Sequence, residues 1–331
     1  MFQFDDVISQ YPGDTEAQNS QFYLILAKHR AGDKDGAIAG FQEYVKQNPE
    51  SDYVSQALYL TAMSYMYNKR DYPKAITYFE RTMDWLTTHN EYGDDPKLAS
   101  KMEDTIVAPG MLYHCCEHIA YAHLFQVEAG IYGYDSVLNW GKRLQTIFPS
   151  DRGMHQYGKL IPLLVLESQK QWPELIIAAD SLMAQYAQDT KRWLTVPGAV
   201  LRLKGEALQQ LGRDTEATAV YEKVVTEYQG SWSDPIALCQ MGRCYERLQD
   251  TYSAISVYNE YIEKYSEVAE IMHEGYLNKA SLLFNSSQFE KAAGILDEFL
   301  QKYSNRVEVP KVNLAVAQEL KNIYLLQLAP K

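Results

Sequence analysis

Two stretches of the chain decide its architecture: Asp71-Tyr72-Pro73-Lys74-Ala75-Ile76-Thr77-Tyr78-Phe79-Glu80 and Asp250-Thr251-Tyr252-Ser253-Ala254-Ile255-Ser256-Val257-Tyr258-Asn259. In each, a small residue (Ala75, Ala254) is followed four positions later by an aromatic one (Phe79, Tyr258), the spacing that puts both on one helical face. The pair recurs as Ala37/Phe41, Ala217/Tyr221 and Ala292/Leu296, with degenerate copies at Val137/Gly141 and Leu175/Ala179. From Ala37 the next anchor, Ala75, lies 38 residues on; after a gap of 62 to Val137 the anchors follow at 38, 42, 37 and 38. A period of this size marks stacked supersecondary units, each packing on its neighbours.

The pattern has a packing logic. A small residue where two antiparallel helices cross lets them approach, and the large residue one turn later fills the groove beside it. The first helix of each pair should therefore carry its own small residue, and Gly205 and Gly242 fit, with Met63 and Ala280 in the same place in two other repeats. Short polar turns join the helices: Ala31-Gly32-Asp33-Lys34, Asn68-Lys69-Arg70-Asp71, Leu211-Gly212-Arg213-Asp214 and Asn285-Ser286-Ser287-Gln288. Gly or Asn after a helix, followed by a polar N-cap, is the expected chemistry. These positions resemble the tetratricopeptide repeat, whose basic period of 34 is here exceeded by about one helical turn. The resemblance implies an all-α fold, a right-handed superhelical α-solenoid of antiparallel helix pairs. We expect one solenoid over residues 1–331, with about seven repeats over 15–308.

Its ends and one interruption break the period. Phe4, Val7 and Tyr11-Pro12 match the second helix of a truncated repeat over 1–14, as expected of a fragment or a processed precursor. Val309 to Leu328 reads as a closing helix (309–331) with Val312, Val316, Leu320, Ile323, Tyr324 and Leu328 along its apolar side. The interruption centres on residues 86–110. An extra helix is expected from Pro96 to Val107, capped by Asp95, before a long helix from about Met111 to Ala129. Insertions in repeat arrays map to one face, often the binding face, which makes Tyr92, Asp94 and Asp95 candidates.

An aromatic residue near the end of each second helix precedes a proline or a small or polar residue: Tyr11-Pro12, Phe148-Pro149, Tyr186-Ala187, Tyr228-Gln229, Tyr265-Ser266 and Tyr303-Ser304. Together with the extra turn and the segment Phe41-Gln42-Glu43-Tyr44-Val45-Lys46-Gln47-Asn48-Pro49, this looks like the bacterial envelope branch of the family. That branch holds the BamD-type outer-membrane assembly lipoproteins and the Tol-Pal coordinators. The likeness implies a periplasmic or envelope-associated scaffold, with a cytoplasmic one as the alternative. Two departures stand out: the lipidated N-terminal cysteine is missing from this sequence, and the repeats are more numerous.

Composition and motifs narrow the chemistry. The 331 residues are 46% apolar and carry a net charge of −12, which excludes a disordered chain and argues against a nucleic-acid partner. No run is apolar enough to span a membrane, and Met1-Phe2-Gln3-Phe4-Asp5-Asp6 is not a signal-peptide start. Cys115-Cys116 and Cys239/Cys244 are poorly placed for disulfides and read as small buried hydrophobes. His114 and His118, one helical turn apart beside Cys115, are weak metal candidates, since no second ligand cluster and no HExxH accompany them. GxSxG, P-loop and GxGxxG are absent. Neither an enzyme nor a cofactor is expected.

What remains is a surface. First helices line the concave groove of such an array, and counting from the anchors assigns His29, Arg30, Tyr67, Asn68, Arg202, Glu206, Gln209, Arg243, Glu246, Phe284 and Asn285 to it. Chaperone-binding members of the family clamp a terminal carboxylate with Lys and Asn. Here those places hold Arg202 with Glu206 and Cys239 with Arg243, so that clamp is not expected. The reading is a non-enzymatic scaffold for a protein or peptide partner. The alternative is the regulatory or targeting portion of a longer enzyme or transport protein. Of the 26 tyrosines, 16 index to packing positions, leaving Tyr67 and Tyr92 as the ones to test for binding.

Overall fold

The computed structural model describes residues 14–89, 109–147, 152–186, 195–231, 233–266, 272–305 and 311–327. These residues form fifteen α-helices, and among them there is no strand. In chain order they read as first and second members of seven pairs plus a closing helix. The pairs are α1 (Thr15–Arg30) and α2 (Lys34–Gln47); α3 (Val54–Met63) and α4 (Tyr72–Thr88); α5 (Pro109–Glu128) and α6 (Asp135–Ile147); and α7 (Arg152–Ser168) and α8 (Trp172–Tyr186). They continue with α9 (Thr195–Gln210) and α10 (Asp214–Glu227); α11 (Ser233–Arg247) and α12 (Thr251–Tyr265); α13 (Met272–Asn285) and α14 (Phe289–Tyr303); α15 (Lys311–Leu326) closes the series. The long helix expected from Met111 and the closing helix are both present. The truncated helix before Asp14, the extra helix over 96–107 and its cap Asp95 lie outside the described residues. The chain divides into two compact units, 1–161 and 162–331, with the boundary at Pro162 in α7.

Six of the seven first-to-second turns are built the same way, the exception being the one between α5 and α6, where Gly130 takes the left-handed backbone seven residues before Val137. The residue five before the anchor adopts a left-handed backbone: Gly32, Arg70, Lys170, Gly212, Gln249 and Ser287, with φ between 53° and 97°. Glycine does this freely and the other four at a cost, so the geometry is imposed by the helices on either side. Asp33, Asp71 and Asp250 then cap the second helices, accepting from the N–H of Gly36 (2.9 Å), Lys74 (3.2 Å) and Ser253 (3.1 Å).

The anchors are fully buried, and so are the aromatics four residues on: Ala37 with Phe41, Ala75 with Phe79, Ala217 with Tyr221, Ala254 with Tyr258. At the crossings the glycines are required. A Cβ on Gly205 would stand 2.4 Å from Tyr221 Cε1, and one on Gly242 would stand 2.5 Å from Tyr258 Cε1. Ala280 is likewise fully buried, but Met63 is only half-buried and Ala62, one residue earlier, is the one with no exposure. The cause is local: α3 runs on into a π-turn, Ser64–Lys69, whose wider winding adds a residue between the crossing and Ala75.

In the first unit Phe22, Ile25, Phe41 and Tyr44 form one cluster, with Tyr53 stacked on Phe22. The second unit holds two larger ones, around Tyr221, Leu238 and Tyr261, and around Tyr276, Phe299 and Tyr303. Tyrosine serves here as a large apolar body with a polar tip that finds a partner. Tyr44 OH meets Ser51 Oγ at 2.6 Å, and Tyr303 OH donates to the carbonyl of Ser266 at 2.9 Å. Tyr157 and Tyr324, absent from the tyrosines indexed to the repeat, are also buried. All four cysteines are buried and unbridged, and burial raises the Cys115 and Cys239 thiols above the usual range, Cys239 to about 11.

Candidate functional site

In the second unit, side chains of α7, α8, α9 and α11 surround a cleft of about 460 Å³. Its lining holds the carboxyls of Glu167 and Glu206, the amides of Gln209, Gln210 and Gln240, the guanidinium groups of Arg243 and Arg247, and Trp172. Helical spacing delivers them. Arg202, Glu206 and Gln209 stand on one face of α9, whose other faces bury Leu203, Ala207 and Leu208. On α11 the same spacing presents Gln240, Arg243 and Arg247.

Several of these groups are already committed. Arg202 Nη1 donates to Glu206 Oε1 at 2.6 Å. Gln209 Nε2 donates to the carbonyl of Gln240 (3.1 Å) while its Oε1 accepts from Tyr221 OH (2.9 Å). Arg247 donates twice to Asp214 Oδ1, at 2.8 and 2.6 Å. Others are not. Arg243 is exposed and makes no ion pair among the described residues, and the side chains of Gln210 and Gln240 make no hydrogen bond among them. Glu167 shares one guanidinium, Arg202, with Glu206. Burial first, and then the neighbouring Glu206 carboxylate, push its carboxyl up to about 7 against the pull of Arg202.

The first unit holds an aromatic cluster. His118 on α5 stacks on Phe79 with centroids 5.2 Å apart. Its Nε2 meets Tyr59 OH at 3.1 Å and its Nδ1 meets Tyr67 OH at 3.5 Å. Burial lowers its pKa to about 4, so the ring is neutral near pH 7. Tyr67 rides the π-turn of α3, half in solvent. His114 is paired with Glu117 at 3.5 Å. Among the described residues no group of three or more His, Cys, Asp or Glu side chains is placed to hold a metal.

Comparison with known proteins matches residues 1–93 to the outer membrane lipoprotein (YfiO) family, and residues 199–231 and 237–267 to a tetratricopeptide-repeat family. Those two segments are tetratricopeptide repeats. No curated protein sequence matches the chain. Among solved structures it resembles yeast Tom70, with a TM-score of 0.62 at 10% identity over 98% of this chain, and it spans 58% of the length of that one. It also matches a tetratricopeptide-repeat protein from Parabacteroides merdae (TM-score 0.41, 13% identity, 93% of this chain and 98% of that one). A third match is the apo quorum sensor NprR from B. thuringiensis (0.49, 9%, 98% and 92%). At these identities the likeness is one of fold.

The chain gathers part of the expected set into the cleft. Glu206, Gln209 and Arg243 line it, and Arg202 pairs with its Glu206. Glu246 lies half-buried on α11, taking a hydrogen bond from Tyr258 OH. Phe284 stacks on Tyr324, centroids 4.3 Å apart, against the last core cluster, and Asn285 is exposed beside it. In the first unit His29 is held by Ser64 Oγ at 3.1 Å, and Arg30 and Asn68 face solvent. Tyr92, Asp94 and Asp95 lie outside the described residues. Sequence reasoning missed Glu167, Trp172, Gln210, Gln240 and Arg247. A signal for Glu167 was available, because it stands eight residues before Leu175, as Gln209 and Glu246 stand eight before their anchors.

Proposed function

We propose that this protein is a non-enzymatic interaction scaffold that binds an extended segment of a partner protein, with the cleft of the second unit as its principal contact. One observation carries the reading: among the described residues the cleft presents Arg243 without an ion pair and two glutamine amides without a hydrogen bond, on helices that bury Leu203, Ala207, Leu238 and Met241 on other faces. Unspent donors on a rigid wall suit a chain of peptide groups, and arginine is enriched at interface hot spots. The match of residues 1–93 to an outer membrane lipoprotein family supports a role in a bacterial envelope assembly. Among the described residues no helix is long and apolar enough to cross a membrane.

The test is selection of peptides from a random display library on the full chain, followed by hydrogen exchange of the complex. Protection of α9 and α11 is expected. Failure to select any peptide, or protection confined to other helices, overturns the reading.

A further inference from the structure

The cleft is lopsided in charge, and its repeat register explains why. In the pairs α9/α10 and α11/α12, the polar residue eight before the anchor is held by the tyrosine four after it: Tyr221 OH donates to Gln209 and Tyr258 OH to Glu246. In α7/α8 the corresponding residues are Glu167 and Ala179, so no tyrosine hydroxyl is there to satisfy the carboxyl. Glu167 turns instead to the Glu206 carboxyl, with which it shares a hydrogen bond, and the charged groups facing it are Glu206 and Arg202, both on α9. Two carboxyls meet one guanidinium, and Arg202 is already bonded to Glu206. On the α11 side the imbalance is reversed. Arg247 is neutralised by Asp214, but Arg243 makes no ion pair among the described residues. One wall therefore has two carboxyls to one guanidinium, and the other a guanidinium without an ion pair among the described residues, with Gln210 and Gln240 also in the lining.

We propose that the cleft selects a partner segment in which a lysine or arginine lies close in sequence to an aspartate or glutamate, the basic side chain entering between Glu167 and Glu206 and the acidic one pairing with Arg243. This rests on the peptide-binding reading above and adds the chemistry of the peptide. A basic side chain supplies the missing cation for the carboxyl pair, and an acidic one supplies the fork of acceptors that a free guanidinium fits. A purely acidic segment would meet the carboxyl pair and the excess negative charge of the chain (net −12), and a purely basic one would leave Arg243 opposed by like charge.

The experiment uses the full chain and the peptides selected from the random library. The pool is expected to be enriched in Lys or Arg near Asp or Glu. Replacing the basic residue of a selected peptide by norleucine should weaken binding about tenfold on the native chain and much less on Glu167→Gln, a coupling that a remote structural effect would not give. Arg243→Gln should abolish the penalty for replacing the acidic residue. Affinity for the lysine peptide should rise about tenfold from pH 6 to pH 8, as a cation displaces the proton shared by the carboxyl pair, while the norleucine peptide stays flat. Circular dichroism melts establish that both variants are folded. A pool with charged residues at input frequency, or additive penalties in both cycles, overturns this proposal and leaves the peptide-binding reading standing. Peptides indifferent to both variants overturn this proposal and the cleft as the contact.

Discussion

Gly205→Ala and Gly294→Ala make the same chemical change in two helices of the second unit and should move stability in opposite directions. Alanine in place of glycine in a helix interior contributes about 1 kcal/mol of stability through backbone propensity alone. At Gly294 an added Cβ meets nothing within 4 Å, so that gain should appear in full. At Gly205 the same methyl would stand 2.4, 2.7 and 2.9 Å from Cε1, Cζ and Cδ1 of Tyr221. That ring is fully buried and tied through its hydroxyl to Gln209. It has no open side to turn into, and overpacking of this kind costs roughly 1–3 kcal/mol. The net expectation is about 0–2 kcal/mol of destabilisation for Gly205→Ala and ~1 kcal/mol of stabilisation for Gly294→Ala. Propensity cancels between the two variants, so their difference isolates the contact. Urea unfolding with matched slopes measures it. Equal midpoints for the two variants would refute the argument that the crossing requires a bare backbone.

Other consequences follow from named contacts. His118 is held neutral by burial, its pKa lowered to about 4, whereas in the unfolded chain it titrates near 6.5. The unfolded state thus binds the extra proton between these values. Stability on the order of 3 kcal/mol, present above pH 6.5, should be lost as pH falls toward 4, and His118→Gln should flatten that part of the profile. Asp234 is 1% exposed and receives Lys264 Nζ at 3.3 Å, whereas the pair Lys46–Glu43 is open to solvent. Lys264→Met should cost about 1–3 kcal/mol. Lys46→Met should lie within roughly 0.5 kcal/mol of the parent, and denaturant midpoints compare the two. Gln249 holds φ at 59°, so Gln249→Gly should be neutral to stabilising by up to ~1 kcal/mol, while Gly212→Ala should be destabilising by a similar amount. Thermal melts of the pair decide between imposed backbone and a side-chain preference.

The helix pairs were legible in the sequence because packing at a crossing depends on residue size at fixed intervals, and Ala37, Ala217 and Ala254 keep those intervals. The π-turn was not. Nothing in Ser64-Tyr65-Met66-Tyr67-Asn68-Lys69 distinguishes a wide turn from an ordinary one, and it shifts the crossing from Met63 to Ala62. The cleft was half legible. Glu206, Gln209 and Arg243 follow from strong anchors, but Glu167 depends on the degenerate pair Leu175/Ala179, where the aromatic that makes a repeat recognisable is missing. That same missing aromatic leaves Glu167 to the Glu206 carboxyl in place of a tyrosine hydroxyl, so the weakness of the repeat signal and the chemistry of the site share one cause.

The left-handed residue before six of the seven second helices has a consequence for rearranging the chain. Within the second unit Gly212 and Gln249 stand at equivalent points in successive turns, with matching backbone on either side. A gene joined from the codon for Gly212 to the one for Asp250 would excise one helical module and leave a single intact junction of the same geometry. The array is thus segmented at these residues, each a seam along which its length can be edited while the local backbone stays unchanged.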